Sequence, residues 1–181
     1  LVGITGDDEA ADALQTCLEN HQGVNCDFSR IKNHKTITKL RVLSQHQQLL
    51  RMDFEERDHS VADDRLMDTL QEQLPQHDVV IFSDYGKGTL SAIQQMIQTC
   101  IRAGKPVLVD PKGTDFEKYR EATIMTPNAG EFQAVAGECK TDEVLHQQAA
   151  WMAGELDIGA MLVTRGEHGM SLVPADGEAM H

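Results

Sequence analysis

Four short apolar runs in this chain are each followed at once by polar, turn-forming residues of the kinds that handle phosphate. After Val79-Val80-Ile81-Phe82 comes Ser83-Asp84-Tyr85-Gly86-Lys87-Gly88, and after Val107-Leu108-Val109 comes Asp110-Pro111-Lys112-Gly113. After Ile124-Met125 comes Thr126-Pro127-Asn128-Ala129-Gly130-Glu131, and after Ala160-Met161-Leu162-Val163 comes Thr164-Arg165-Gly166. Three of the four clusters bring a cation, Lys87, Lys112 or Arg165, and phosphate is the simplest anion for such groups to hold. Asn128 and Glu131 stand three residues apart at an apparent helix start, so their side chains can share one face. An amide oxygen and a carboxylate beside phosphates suit Mg2+, which takes few protein oxygens directly and keeps several waters. The same pair also reads as a helix cap, with Glu131 reaching back to Asn128, and the pattern alone favours the cap. No GxxxxGK[ST] loop and no GxGxxG fingerprint is present, and the eight histidines lack HxxxH or HxH spacing.

These clusters share a rim only if the runs before them are parallel strands, because an open parallel sheet opens its crevice at the carboxyl ends of its strands. The spacing supports that: helix-length stretches alternate with the runs, the mark of βα units. Residues 90–103 carry apolar positions at Ile93, Met96, Ile97 and Ile101, with Gly104 placed as a C-terminal cap. Residues 143–156 form a second helix, capped by Thr141 or Asp142. Gly166 to Gly169 reads as a turn into an antiparallel strand over 170–173. Toward the N-terminus a strand at 1–4 precedes a helix at 9–20 with an acidic first turn. Two β-rich stretches, 36–43 and 49–54, flank Ser44-Gln45-His46-Gln47 and predict a hairpin that interrupts the βα rhythm, as a flap or as a sheet edge. Trp151 and the methionines read as core.

The 181 residues are 40% hydrophobic and 25% charged, ordinary values for a folded domain. With 16 Lys plus Arg against 29 Asp plus Glu, the net charge is −13, and neither nucleic acid nor anionic membrane is an expected partner. Cys17, Cys26, Cys100 and Cys139 contain no CxxC pair, which fits a reducing cytoplasm better than a disulfide framework. No apolar run approaches the roughly 20 residues of a membrane span.

In order along the chain, Asp84-Tyr85-Gly86-Lys87-Gly88, Asp110-Pro111-Lys112, Thr126-Pro127-Asn128-x-x-Glu131 and Val163-Thr164-Arg165-Gly166 resemble the ribokinase (PfkB-type) carbohydrate kinases. Thr36-Ile37-Thr38-Lys39-Leu40-Arg41 and Arg51-Met52-Asp53-Phe54-Glu55 are similar to its heptose branch, the kinase domains of bifunctional enzymes. Those domains phosphorylate D-glycero-β-D-manno-heptose 7-phosphate at the anomeric hydroxyl. The resemblance implies a ribokinase-like three-layer α/β/α sandwich with a mostly parallel sheet. It implies one partial kinase domain over 1–181, with a hairpin lid at about 35–55 and a nucleotide-binding part at about 78–181. ATP and Mg2+ are the implied cofactors, and a sugar phosphate is the implied substrate. Asn128, Ala129, Gly130 and Glu131 would organise Mg2+ and the ATP phosphates, the metal held by Asn128 and Glu131 through water. Thr164, Arg165 and Gly166 would face the nucleotide, with Lys112 on phosphate, while Lys87, Asp84, Lys39 and Arg41 would serve the sugar phosphate. The lid often mediates dimerisation in this family, so a homodimer through the hairpin is expected.

The family's catalytic Asp lies in a Gly-Ala-Gly-Asp motif that has no match here, so no catalytic base is assigned within the chain. Its Gly-Gly-Ala-Ala-Asn segment is likewise expected before Leu1 and the base beyond His181. The chain therefore reads as an internal fragment, truncated at both ends and inactive alone. Three other readings remain open at this level: a kinase of the same fold for another sugar phosphate or a nucleoside, a non-catalytic nucleotide-binding or dimerisation module, and a generic α/β domain with polar loops.

Overall fold

The computed structural model describes residues 1–45, 47–55 and 65–180, and the chain falls into two compact units, 1–69 and 70–181. His46, within the predicted hairpin turn, and His181 lie outside the described residues.

In the first unit, β1 (Val2–Gly6), α1 (Glu9–Glu19) and β2 (Asp27–Ile31) form a βαβ unit, with β1 and β2 parallel from Val2 opposite Asp27 to Gly6 opposite Ile31. Asp8 caps α1, accepting the Ala11 N–H at 3.0 Å, and its carboxylate also takes the Thr36 N–H at 2.9 Å and the Thr36 hydroxyl at 2.7 Å. Those donors, the Thr36 N–H first among them, hold Asp8 below the usual carboxylate range. β3 (Thr38–Ser44) and β4 (Gln47–Phe54) make the predicted hairpin, an antiparallel sheet of their own rather than an edge of another sheet. Its register sets Leu40 against Met52, Val42 against Leu50 and Thr38 against Phe54, so one face is apolar and exposed.

β2 was not expected, because Asp-Phe-Ser-Arg-Ile has too few apolar positions to signal a strand. α2 (Arg65–Gln73), also unanticipated, buries only Leu66 and is too short for a legible periodicity.

The second unit is built on β5 (Val80–Ser83), α3 (Ile93–Arg102), β6 (Val107–Asp110), β7 (Ile124–Met125), α4 (Ala129–Ala136), α5 (Asp142–Glu155), β8 (Ala160–Thr164) and β9 (Met170–Pro174). The strands lie in the order β5-β6-β7-β8-β9, parallel except for β9, which returns antiparallel as its turn predicts. α3 buries Ile93, Met96, Ile97 and Cys100, one helical stripe, and ends where Gly104 takes φ +68°. Burial pushes the Cys100 thiol up to about 11, so it packs as a small apolar group. Thr141 caps α5 through Val144 N–H, as expected.

One expectation fails. Trp151 is 65% exposed, because α5 buries the stripe Leu145, Ala149, Met152 and Ala153 and turns position 151 outward. Met96, Met125, Met152 and Met161 are core, whereas Met170 and Met180 are exposed. Among the described residues no helix is long and apolar enough to cross a membrane.

Gly159 admits the close approach of β7 and β8: a Cβ there would lie 2.7 Å from the Thr123 carbonyl oxygen. Backbone cannot yield as a flexible side chain does, so Gly159→Ala is expected to destabilise by about 1–3 kcal/mol. Urea unfolding checks this, and an unchanged midpoint would contradict it.

Candidate functional site

Because β5 to β8 run parallel, their four exits share one edge, and backbone hydrogen bonds stitch those exits together. The Asp84 N–H donates to the Asp110 carbonyl at 2.9 Å, Thr126 N–H to the Val109 carbonyl at 2.8 Å, and Thr164 N–H to the Pro127 carbonyl at 3.0 Å. Asn128 forms a parallel bridge with Thr164. The convergence expected from the apolar runs is therefore present, and Lys87, half-buried, lies in the first of these loops.

Asn128 has extended backbone (φ −77°, ψ 165°) and opens α4 with a full capping box. Its side-chain oxygen accepts the Glu131 N–H at 2.9 Å, and Glu131 Oε2 accepts the Asn128 N–H at 3.2 Å. Gly130 lies close beneath this cap: a Cβ there would stand 3.3 Å from Asn128 Oδ1. The second Glu131 oxygen, Oε1, accepts from Lys112 Nζ at 2.7 Å. That hydrogen bond, with the Glu131 charge, raises the Lys112 pKa. Asp110 is pushed above the usual carboxylate range, by burial first and then by Glu131.

Arg165 is committed locally. Its guanidinium donates to the buried Ser171 hydroxyl and to Asp142 Oδ1, each at 2.9 Å, tying the β8–β9 turn to the start of α5. The stretch from Thr164 to Gly166 thus offers the rim its backbone, with Gly166 at φ +60°.

Asp84 is 7% exposed. Its Oδ1 accepts the Gly86 N–H at 2.7 Å, and its Oδ2 accepts Lys118 Nζ at 2.9 Å and the Tyr119 hydroxyl at 2.6 Å. Neither Lys118 nor Tyr119 stands out in the sequence. The only hint is that a buried tyrosine needs a partner for its hydroxyl.

Lys39 and Arg41 belong to the first unit, on β3, opposite Asp53 and Arg51 of β4. Arg51 pairs with Asp53 at 2.9 Å and holds it below the usual carboxylate range. The hairpin is thus two-faced: Lys39, Arg41, Arg51 and Asp53 lie opposite the apolar side. Arg51 belongs with the two predicted cations there.

Among the described residues no group of three or more His, Cys, Asp or Glu is arranged to hold a metal ion. A magnesium bound mainly through water needs less than that. An ionised carboxylate accepts at about four positions, and Glu131 uses one on the cap and one on Lys112, so its donor set fits the outer coordination of Mg2+.

The fold is that of a ribokinase-like α/β protein. Ribokinase from Giardia lamblia matches with a TM-score of 0.79 at 16% identity, over 99% of this chain and 60% of that one. Arabidopsis thaliana ribokinase, solved with ribose and ATP, matches at 0.77 and 19% identity, over 99% of this chain and 59% of that one. The chain belongs to the pfkB family of carbohydrate kinases, whose model matches residues 1–181. It is 50% identical over all 181 residues to the bifunctional protein HldE of Actinobacillus succinogenes, and 51% identical to that of Aeromonas hydrophila. In both cases it spans 38% of the relative's length.

Proposed function

We propose that the protein is an ATP-dependent, Mg2+-requiring kinase acting on the anomeric hydroxyl of D-glycero-β-D-manno-heptose 7-phosphate. The product would be the 1,7-bisphosphate, serving ADP-heptose and lipopolysaccharide core synthesis in the cytoplasm. The observation that carries the phosphoryl-transfer reading is the meeting of Lys112, Glu131 and Asn128 on the exit rim, with Lys112 Nζ 2.7 Å from Glu131. Half identity to bifunctional HldE proteins across all 181 residues supports the heptose substrate, together with the Thr36–Arg41 and Arg51–Glu55 motifs.

Phosphoryl transfer asks mainly for positioning and charge neutralisation. Bound Mg2+ would spread and neutralise the charge of the ATP phosphates. Glu131 and Asn128 would hold it through its waters. Lys112 stands ready to face a phosphate oxygen, and the Ala129 and Gly130 N–H groups, in the first turn of α4, have no partner within the helix. Thr164 to Gly166 wall the nucleotide through their backbone. Asp84 and Lys87 would shape the acceptor side of the rim, and Lys39 and Arg41 of the hairpin are cations suited to a sugar phosphate. The base that takes the hydroxyl proton is assigned to none of the 181 residues.

Phosphorus NMR of the full-length protein with Mg·ATP and the heptose 7-phosphate tests the reading. A new anomeric phosphate supports it, and ATP consumption only with another sugar phosphate or a nucleoside would overturn the substrate assignment.

The apolar hairpin face of Leu40, Val42, Leu50, Met52 and Phe54 supports a homodimer contact in the same reading. Leu50→Glu is expected to turn a dimer into a monomer in sedimentation equilibrium. A wild-type protein that is already monomeric would contradict the proposal.

A further inference from the structure

We infer that Tyr119 is a positioning residue for the Mg·ATP site, a role that rests on the function proposed above. Tyr119 lies in the 3-10 turn Glu117–Tyr119, between β6 and β7, with 0% exposure, and so does not itself reach a ligand. Its hydroxyl joins two of the rim loops. It donates to Asp84 Oδ2 at 2.6 Å, in the loop after β5, and accepts the Lys112 N–H at 3.0 Å, in the loop after β6. A phenol has one proton, and a carboxylate at 2.6 Å outcompetes the Lys112 carbonyl at 3.4 Å for it, which leaves the oxygen lone pairs for the Lys112 N–H.

The neighbouring contacts give that hydroxyl leverage. Asp84 Oδ1 holds the Gly86 N–H and so folds the Asp84-Tyr85-Gly86 turn, with Gly86 at φ +66°. A Cβ on Gly86 would stand 3.6 Å from Lys112 Cγ, so this turn lies against the Lys112 stem. Lys118 Nζ shares Asp84 Oδ2 with the Tyr119 hydroxyl, at 2.9 Å, and sits 4.7 Å from the centroid of the Tyr119 ring. Lys112 then carries the placement onward to Glu131 at 2.7 Å. One buried hydroxyl thereby sets where the backbone of Lys112 sits, and through it where the Lys112–Glu131 pair meets a phosphate. Burial, with the bond to Asp84, pushes the Tyr119 phenol up to about 12, so it stays a neutral donor at ordinary pH.

Tyr119→Phe keeps the ring and its packing on Phe116, at 6.5 Å between centroids, and removes only the hydroxyl. In the full-length protein, calorimetric Kd for Mg·ATP is expected to rise about tenfold, the size typical of losing a supporting contact around a metal site. KM for Mg·ATP should rise with it. Glu131→Ala, measured alongside, separates the two levels of the reading. If Glu131→Ala leaves Mg·ATP affinity unchanged, the underlying site is wrong and the role of Tyr119 falls with it. If Glu131→Ala weakens binding but Tyr119→Phe lowers only Tm, with Kd and KM within twofold of wild type, Tyr119 is structural and this inference alone is overturned. Should Tyr119→Phe fail to fold, Lys118→Met reads the same clamp through Asp84. A rise in Kd for Mg·ATP supports the inference, and an unchanged Kd overturns it.

Discussion

Alanine in place of Glu131 is expected to weaken Mg·ATP binding by the full-length protein about ten- to a hundredfold. Glu131 reaches back to the Asn128 N–H, anchors Lys112 and has acceptor positions left over for a hydrated cation, and the substitution removes all three functions at once. Glu131→Gln separates them. It keeps an oxygen for the Asn128 N–H but loses the negative charge that draws Lys112 and a hydrated cation. Gln should therefore recover much of the thermal stability lost with Ala while still binding Mg·ATP poorly. Calorimetry at fixed Mg2+, with thermal melts of both variants, reads the split. Affinity within twofold of wild type in both would mean that Glu131 is a helix cap and nothing more.

The second large effect is on stability. Asp84→Ala leaves the Tyr119 hydroxyl, the Gly86 N–H and the Lys118 ammonium without their shared acceptor, and is expected to cost about 2–4 kcal/mol. The partial exposure of Lys118, 32% of its side chain, keeps the figure below that of a fully buried pair. Burial pushes the Asp84 pKa up, but hydrogen bonds from Tyr119, the Gly86 N–H and Lys118 outweigh it and hold the carboxylate below its usual range. A carboxylate lowered in the folded state stabilises fully above its unfolded pKa, about 3.9, and loses that contribution as pH falls through the folded value. The stability gap between wild type and Asp84→Ala should therefore be widest near neutral pH and shrink in strong acid. Asp110, raised by burial and by Glu131, works with the opposite sign: it favours folding at low pH and loses that contribution as pH rises through its folded value. Urea titrations of wild type and Asp84→Ala at neutral and acid pH test this. A gap that does not change with pH would show that the ionised carboxylate is not what holds the clamp.

The rim was legible in the sequence because its logic is local. Each apolar run ends in its own polar cluster, and parallel strands bring such ends together whatever the intervening chain does. The start of α4 was legible for the same reason, since a cap and its box span three residues. There the two readings of Asn128 and Glu131 turn out to be compatible: a carboxylate has acceptor sites enough to cap a helix, pair with Lys112 and still face a hydrated cation. The Asp84–Tyr119–Lys118 clamp was not legible. It joins side chains about 35 positions apart, and neither hydrophobic period nor turn chemistry signals such a pair. Trp151 was misjudged because its type suggests burial, whereas the face it occupies depends on which side of α5 packs. The hairpin was visible as a hairpin, but its two faces emerged only with the register that sets Lys39 against Asp53 and Val42 against Leu50.

The most direct test is a crystal structure of the full-length protein with Mg2+ and a non-hydrolysable ATP analogue. The account predicts the phosphates over the first turn of α4, Lys112 on a phosphate oxygen, and the metal's waters on Glu131 and Asn128, with Thr164 to Gly166 beside the nucleotide. A nucleotide bound elsewhere, with the Lys112–Glu131 pair untouched, would contradict it.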